Sequence, residues 1–370
     1  VIVNLIDPAL RLTAGHHLDL GSGVARELRR AGHAVHVYCH AQITAEARDL
    51  LGAHAAFTPL FRRTPYEPCA TGANEFTEFV RAAETIAEDL CAVRPADAWI
   101  WPSIFPSQAL ACALVNPAAP VAGCVHVEPG YLARDGAALW QHAFATAARA
   151  GTRLRLGAFE PMLREQYDLL APPAPFARLA IPYDRSGPPR AHEAMIWVGF
   201  FGAQRDEKGV ALIESLIPRL FASGLNVVLH DSSGGSSGSG DARFRALFGY
   251  VEDLAAEIAA CDLVVTPYNP HTYRTKGSAI VWSAIANGVP VVAPRDTASG
   301  ALIEHAGAGT TFAEYTADSV FAAILAARNN YPSVARDARD ASARWMAEHG
   351  LQKHVADLLG ALSATAVTSR

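Results

Sequence analysis

Gly199-Phe-Phe-Gly-Ala-Gln-Arg-Asp-Glu-Lys-Gly209 follows an apolar run, Met195 to Gly199, and leads into a helical pattern over Asp206–Ala222. A strand, a glycine turn and a helix in that order open a β-α-β unit, and the apolar run Asn226–His230 closes it. The same alternation continues with strands expected at Leu263–Thr266 and Val289–Ala293 and helices at Val251–Ala259 and Ser278–Ala286. Strands alternating with helices at this spacing specify a parallel, doubly wound sheet.

The pattern also precedes this stretch. Val1–Ile6 is a short apolar run, Leu18, Val24, Ala25 and Leu28 share one helical face, and Gly32 stops that helix before a strand at Ala34–Cys39. Helices near Thr44–Leu51, Glu75–Val93 and Ser107–Leu114 and strands at Ala98–Trp101 and Pro120–Val125 continue it. Between the two sets, Pro172, Pro173, Pro175, Pro182, Pro188 and Pro189 rule out a helix and a central strand. Two α/β domains are therefore expected, at 1–175 and 193–335, joined by a Pro-rich hinge at 176–192. A helical tail at 336–370 is expected to pack back on the first domain. The length of 370 residues fits two cores better than one. Ser232–Gly240 contains only Ser and Gly and reads as a linker, natural or engineered.

Composition narrows the function. A net charge of −5 argues against a nucleic-acid partner, which needs a basic face. No run approaches the roughly 18 apolar residues of a membrane span, and no basic segment precedes the first strand. A soluble, cytoplasmic protein is expected, although the chain starts without Met. Arg26, Arg29 and Arg30 on the first helix hint at peripheral membrane contact. The six cysteines are scattered without a C-x-x-C pair and read as core thiols. The 14 histidines are dispersed, so no metal site and no cofactor are expected.

Four constellations can carry chemistry. In the Gly199–Gly209 turn, Gly202 lets backbone approach a ligand, and Arg205 and Lys208 flank a helix start suited to a diphosphate. Between His271 and Pro290, Arg274, Thr275 and Lys276 precede Gly277, Ser278 and Ala279, a second helix start with cations beside it. In the first half, Gly15 and His16 open a helix after strand one and suit a donor phosphate or an acceptor. His126 and Glu128 follow a central strand at Val125, where open α/β sheets place ligands, and can serve a sugar hydroxyl and take a proton. Each has a plainer alternative, an ordinary cap or a solvated loop charge.

Taken together, these segments resemble the retaining GT-B glycosyltransferases of family four, relatives of the sucrose and sucrose-phosphate synthases. The resemblance rests on Gly199–Gly209, on Gly249-Tyr-Val-Glu-Asp253 with Cys261-Asp-Leu-Val-Val-Thr-Pro267, and above all on Ala284-Ile-Ala-Asn-Gly-Val-Pro-Val-Val-Ala293. It implies the GT-B architecture, two Rossmann-like, doubly wound parallel-sheet domains facing across a cleft. It further implies that Arg205, Lys208 and the backbone of Gly277–Ala279 hold the donor diphosphate, that Tyr250 and Val251 flank the base, and that His126 lies near the sugar. In such enzymes the leaving diphosphate helps deprotonate the acceptor, so neither a protein base nor a metal is implied. Thr275 and Ser283 stand where that family carries two glutamates, and Arg274–Ser278 is closer to a serine-containing variant of the segment.

The function expected is thus transfer of a sugar from a UDP- or GDP-sugar to an acceptor that is a glycan, lipid, protein or small molecule. Alternatives are a nonhydrolysing sugar-nucleotide epimerase and a nucleotide- or glycan-binding protein that has lost catalysis.

Overall fold

The computed structural model describes residues 1–13, 16–67, 74–131, 133–189, 194–232 and 241–363. The chain divides into two compact units, the first comprising Val1–Pro182 and Leu351–Arg370 and the second Tyr183–Gly350.

In the first unit the order is β1 (Ile2–Asp7), α1 (His17–Arg30), β2 (Ala34–His40), α2 (Ala45–Gly52), β3 (Ala56–Phe61), α3 (Glu75–Leu90), β4 (Ala98–Trp101), α4 (Pro106–Val115), β5 (Val121–Val125), α5 (Gly136–Ala150), β6 (Leu154–Ala158), α6 (Pro161–Asp168) and β7 (Ala177–Arg178). Its seven strands run parallel in the order β3-β2-β1-β4-β5-β6-β7. Every residue of β4 and β5 is buried, because helices cover both faces of such a sheet and its central strands read as unbroken apolar runs. The strand order reverses between β1 and β4, and a crevice at such a reversal is where open α/β sheets take ligands.

The second unit contains β8 (Trp197–Phe200), a 3-10 turn (Asp206–Lys208), α7 (Val210–Ala222), β9 (Asn226–Asp231), β10 (Phe244–Phe248), α8 (Leu254–Ala259), β11 (Leu263–Val265), α9 (Ala279–Ala286), β12 (Val291–Pro294), α10 (Ala298–Ala306), β13 (Gly309–Phe312), α11 (Ala317–Asn329) and α12 (Tyr331–Glu348). Its six parallel strands run β10-β9-β8-β11-β12-β13, with the reversal between β8 and β11. Helix α9 is buried from Ile280 to Ala286, as its Ala-Ile-Val-Trp-Ser-Ala-Ile-Ala sequence requires of an element apolar on all sides. Helix α12 covers it, and Ser342 donates a 2.5 Å hydrogen bond to the Ala286 carbonyl.

Only part of the tail at 336–370 belongs to the first unit. Gly350, at φ +106°, breaks it, so α12 belongs to the second unit and a further helix, α13 (Leu351–Ser363), returns to the first. There Leu351, Val355, Leu358 and Leu362 are buried, and His354 donates from Nδ1 to the Ala180 carbonyl at 2.9 Å.

Three other expectations are corrected. The helix read at Asp206–Ala222 is interrupted at Gly209, which adopts φ +80° and would drive a Cβ against the Pro267 carbonyl. The helix read from Val251 starts only at Leu254, where the Asp253 carboxylate accepts from the Ala256 amide at 2.9 Å, leaving Tyr250 and Val251 in a loop. Cys39, Cys112, Cys124 and Cys261 are buried as expected, but Cys91, at the end of α3, is exposed. Cys69, Gly15 and all of the Ser/Gly stretch except Ser232 lie outside the described residues.

Candidate functional site

In the second unit, adjacency of β8 and β11 explains why two loops far apart in sequence meet. The loop leaving β8 carries Gly202, Arg205 and Lys208; the loop leaving β11 carries Tyr268, Tyr273, Lys276 and Ser278. Lys208 reaches across, with Nζ 5.5 Å from the centre of the Tyr268 ring, and the Tyr268 hydroxyl lies 3.4 Å from Ser278 Oγ. Ser278 caps α9, accepting from the Val281 amide at 3.4 Å, so the free amides of Gly277 and Ala279 sit at the same helix start.

Gly202 makes room for the cation. At φ +103°, a Cβ there would lie 2.6 Å from Lys208 Nζ. Burial, then the neighbouring Arg205 charge, push the Lys208 ammonium down to about 8, with Glu207 opposing. It is still mostly charged at neutral pH and largely desolvated, the state in which an arriving anion interacts strongly. Arg205 is exposed, paired with Glu207 at 2.9 Å and in reach of the Tyr273 hydroxyl. Tyr273 stacks near Tyr268 at 4.3 Å, and Lys276 Nζ lies 5.7 Å from the Tyr273 ring.

Of the residues expected around the nucleotide, Tyr250 and Val251 are half-buried in the loop after β10, Thr275 is half-buried, and Ser283 is buried within α9. No sequence signal marks the residue that ties the loop after β10 to the glycine turn. His230, at the end of β9, accepts from the Gly202 amide at Nδ1 (3.3 Å) and donates from Nε2 to the Gly249 carbonyl (3.0 Å). Gln204 reinforces the turn, donating to the His230 carbonyl at 2.8 Å while its amide donates to Asp231 at 3.2 Å.

The first unit brings its residues to the β1/β4 reversal. Asp7, the last residue of β1, accepts from His17 Nδ1, which lies 2.9 and 3.0 Å from its two oxygens, and it also accepts from the Ala9 amide at 3.0 Å. A carboxylate only accepts, so neutral His17 is protonated at Nδ1 and presents a lone pair at Nε2, 3.0 Å from the Tyr66 hydroxyl. His16 stacks on His17 at 4.2 Å and faces His126 at 5.2 Å. Its Nε2 is buried without a hydrogen-bond partner among the described residues, and burial holds its pKa well below the usual histidine range.

His126 donates from Nε2 to the Pro102 carbonyl at 2.7 Å, and burial pushes it down to about 4 despite that bond. It is a neutral ring whose Nδ1 can accept a hydroxyl proton. Glu128 follows two residues later, half-buried in the same loop. Asp7, His17 and Tyr66 are missing from the sequence-based set, since Asp7 and Tyr66 lie 10 and 49 residues from His17 and no spacing rule connects them.

Among the described residues no cluster of three or more His, Cys, Asp or Glu side chains is arranged to hold a metal, and no helix is long and apolar enough to cross a membrane.

No protein-family model matches the chain. A GDP-mannose:glycolipid 4-beta-D-mannosyltransferase from Xanthomonas campestris pv. campestris is 39% identical over 74 residues, a stretch spanning 20% of this chain and 20% of that protein. Solved structures match over nearly the whole length. Anabaena HepE in complex with UDP has a TM-score of 0.69 at 14% identity, covering 98% of this chain and 100% of its own. Sucrose-phosphate synthase from Thermosynechococcus elongatus has 0.68 at 12%, covering 100% and 99%. The glycosyltransferase SnogD from Streptomyces nogalater has 0.60 at 17%, covering 98% and 99%. With two parallel sheets of seven and six strands flanked by helices, the chain has the GT-B fold of these glycosyltransferases.

Proposed function

We propose that this protein is a glycosyltransferase that moves a sugar from a nucleoside diphosphate donor to an acceptor hydroxyl. The observation that carries the reading is the convergence of Lys208, Tyr268 and the Ser278 helix start at the β8/β11 reversal. A desolvated ammonium, free backbone amides and a second cation at Arg205 match the charge that builds on a leaving diphosphate. Tyr250 and Val251, held against the glycine turn through His230, flank the base. UDP and GDP are the first diphosphates to consider, since the HepE complexes contain UDP and the partial Xanthomonas relative is named for GDP-mannose. The acceptor belongs to the first unit, near His16, His126 and Glu128, and no cofactor is required. The family resemblance implies retention, with the diphosphate itself taking the acceptor's proton and no metal involved.

The test is a thermal-shift screen with UDP, GDP, ADP, CDP, TDP and NAD at about 1 mM. A ligand at roughly 100 times its dissociation constant adds about 2.7 kcal/mol, enough to raise the midpoint by a few degrees. A shift with one nucleoside diphosphate that is lost in Lys208→Ala supports the donor site. No shift with any diphosphate, or a shift with NAD alone, rejects it.

A further inference from the structure

Gln204 stands in the glycine turn of the donor edge, and one of its atoms has no use within the fold. Pairing of β8 with β9, with Phe200 opposite Leu229, brings that turn beside the end of β9. There Gln204 donates from Nε2 to two carbonyls, that of His230 at 2.8 Å and that of Gly202 at 3.1 Å. Carbonyls only accept, so these bonds fix which end of the side-chain amide is nitrogen and use both of its protons. The backbone amide of the same residue is held by Asp231 at 3.2 Å. Oε1 is thereby kept in one orientation, buried and with no hydrogen-bond partner among the described residues.

Buried carbonyl oxygens in folded proteins almost always have a donor, and one left without it at a binding edge is completed by what binds there. Two neighbours say what that is. On one side lies Gly202, where the missing side chain makes room for Lys208 Nζ, so the anion sits on this side. On the other, the His230 ring donates to the Gly249 carbonyl at 3.0 Å and the Gly249 amide donates to the Asp231 carbonyl at 3.0 Å. The loop that continues into Tyr250 and Val251 starts from those bonds. In a nucleoside diphosphate the part between phosphates and base is the ribose, and its free hydroxyls are donors where Oε1 can only accept.

We propose that Gln204 is a specificity-determining residue for the donor, its Oε1 accepting a hydrogen bond from a ribose hydroxyl and so selecting ribonucleoside over deoxyribonucleoside diphosphates. The proposal rests on the transferase reading and its donor site. A neutral amide suits this place better than a carboxylate. A carboxylate would turn a second oxygen toward the Gly202 and His230 carbonyls, and its charge would repel the diphosphate beside it. The amide instead spends its two protons on the turn and leaves its oxygen to the ligand.

The test is calorimetry on the full chain with UDP and GDP, each beside its 2′-deoxy and 3′-deoxy analogues. For the ribonucleotide that binds, at least one deoxy analogue is expected to bind the wild type about 5–30-fold more weakly, the worth of one hydrogen bond to a buried acceptor. In Gln204→Met that gap is expected to close to within about twofold. The variant also loses the two turn bonds, which lowers affinity for all three ligands together, so the ratio is the readout. Equal binding of the ribose form and both deoxy forms by the wild type overturns the proposal without any variant. A gap that survives in Gln204→Met overturns it as well. A second measurement needs no binding by the variant: with glutamine labelled with carbon-13 at Cδ, the carbonyl signal missing from Gln204→Met should move when the ribonucleotide saturates the wild type. The same signal should stay in place with the disfavoured deoxy analogue, and a signal that ignores the ribonucleotide counts against the assignment. If neither UDP nor GDP binds at all, the donor-site reading itself fails, a result distinct from equal binding of ribose and deoxy forms.

Discussion

At the β8/β11 reversal the second unit presents Lys208, Arg205 and Lys276 around two tyrosines and a helix start, whereas at the β1/β4 reversal the first presents Asp7, His16, His17 and His126. The scaffold position is the same in both. What differs is the treatment of charge, since one edge gathers cations beside a helix start and the other keeps imidazoles neutral. Burial acts on both, lowering Lys208 to about 8, where it stays mostly charged, and His126 to about 4, where it does not. One edge thereby suits an anion and the other suits neutral hydrogen-bonding groups.

The largest expected effect separates the units by acid. A histidine whose folded pKa lies below its unfolded value contributes stability above that unfolded value, and this is lost as pH falls through the window between the two. His126 and His354 are lowered from 6.5 to about 4, and His16 also lies well below 6.5, all chiefly by burial. Glu160, raised from 4.5 to about 7 by burial, works in the opposite sense but is a single group. Acidification from about pH 6.5 to 4 should therefore destabilise the first unit by on the order of a few kcal/mol. Acid-tolerant proteolysis mapped by mass spectrometry should cut first within 1–182; first cuts within 183–350 would break the comparison.

Next in size is Lys208→Ala, expected to weaken nucleoside diphosphate binding about 10–100-fold by calorimetry, the loss of about 1.5–3 kcal/mol for a charged hydrogen bond. Affinity in the wild type should hold below about pH 8 and fall above it as the ammonium deprotonates, and that alkaline limb should vanish in the variant. His126→Ala should leave diphosphate affinity unchanged; an equal loss would mean the two edges are not chemically separate. Gly202→Ala comes third. Its left-handed backbone and the 2.6 Å approach to Nζ predict about a 5–30-fold loss of diphosphate affinity from roughly 1–2 kcal/mol of strain. Smallest is Tyr268→Phe, which removes a 3.4 Å contact to Ser278 and should cost about 2–10-fold in the same measurement.

The cationic edge was largely legible in the sequence. Lys208, Gly277 and Ser278 stand beside glycines at helix starts after apolar runs, and those runs are buried strands because both sheet faces are covered. Tyr268 and Tyr273 were not legible, since they sit in an irregular loop whose path is set by β8 and β11 lying side by side. The imidazole edge was legible only in part. His16 and His126 stand at a helix start and a strand end, but the bond from His17 to Asp7 and onward to Tyr66 joins a helix start, a strand end and a loop whose meeting is a property of strand order. The break at Gly209 escaped for a related reason: periodicity continues through it, and its left-handed backbone and the neighbouring Pro267 carbonyl, both set by the fold, disfavour a side chain there.

The return of α13 to the first unit bears on how the protein is made. Residues 183–350 carry every strand of their own sheet in one uninterrupted stretch. Residues 1–182 do not stand alone: Gly23 of α1 lies so close to Leu351 that a Cβ would sit 2.9 Å from it, and Ala180 is bonded to both His354 and Asp357. On a ribosome adding about 5–20 residues per second, the first half waits roughly 10–30 s for the helix that completes it. The half synthesised second is therefore the first able to finish folding, and the nascent first half is where a chaperone would bind.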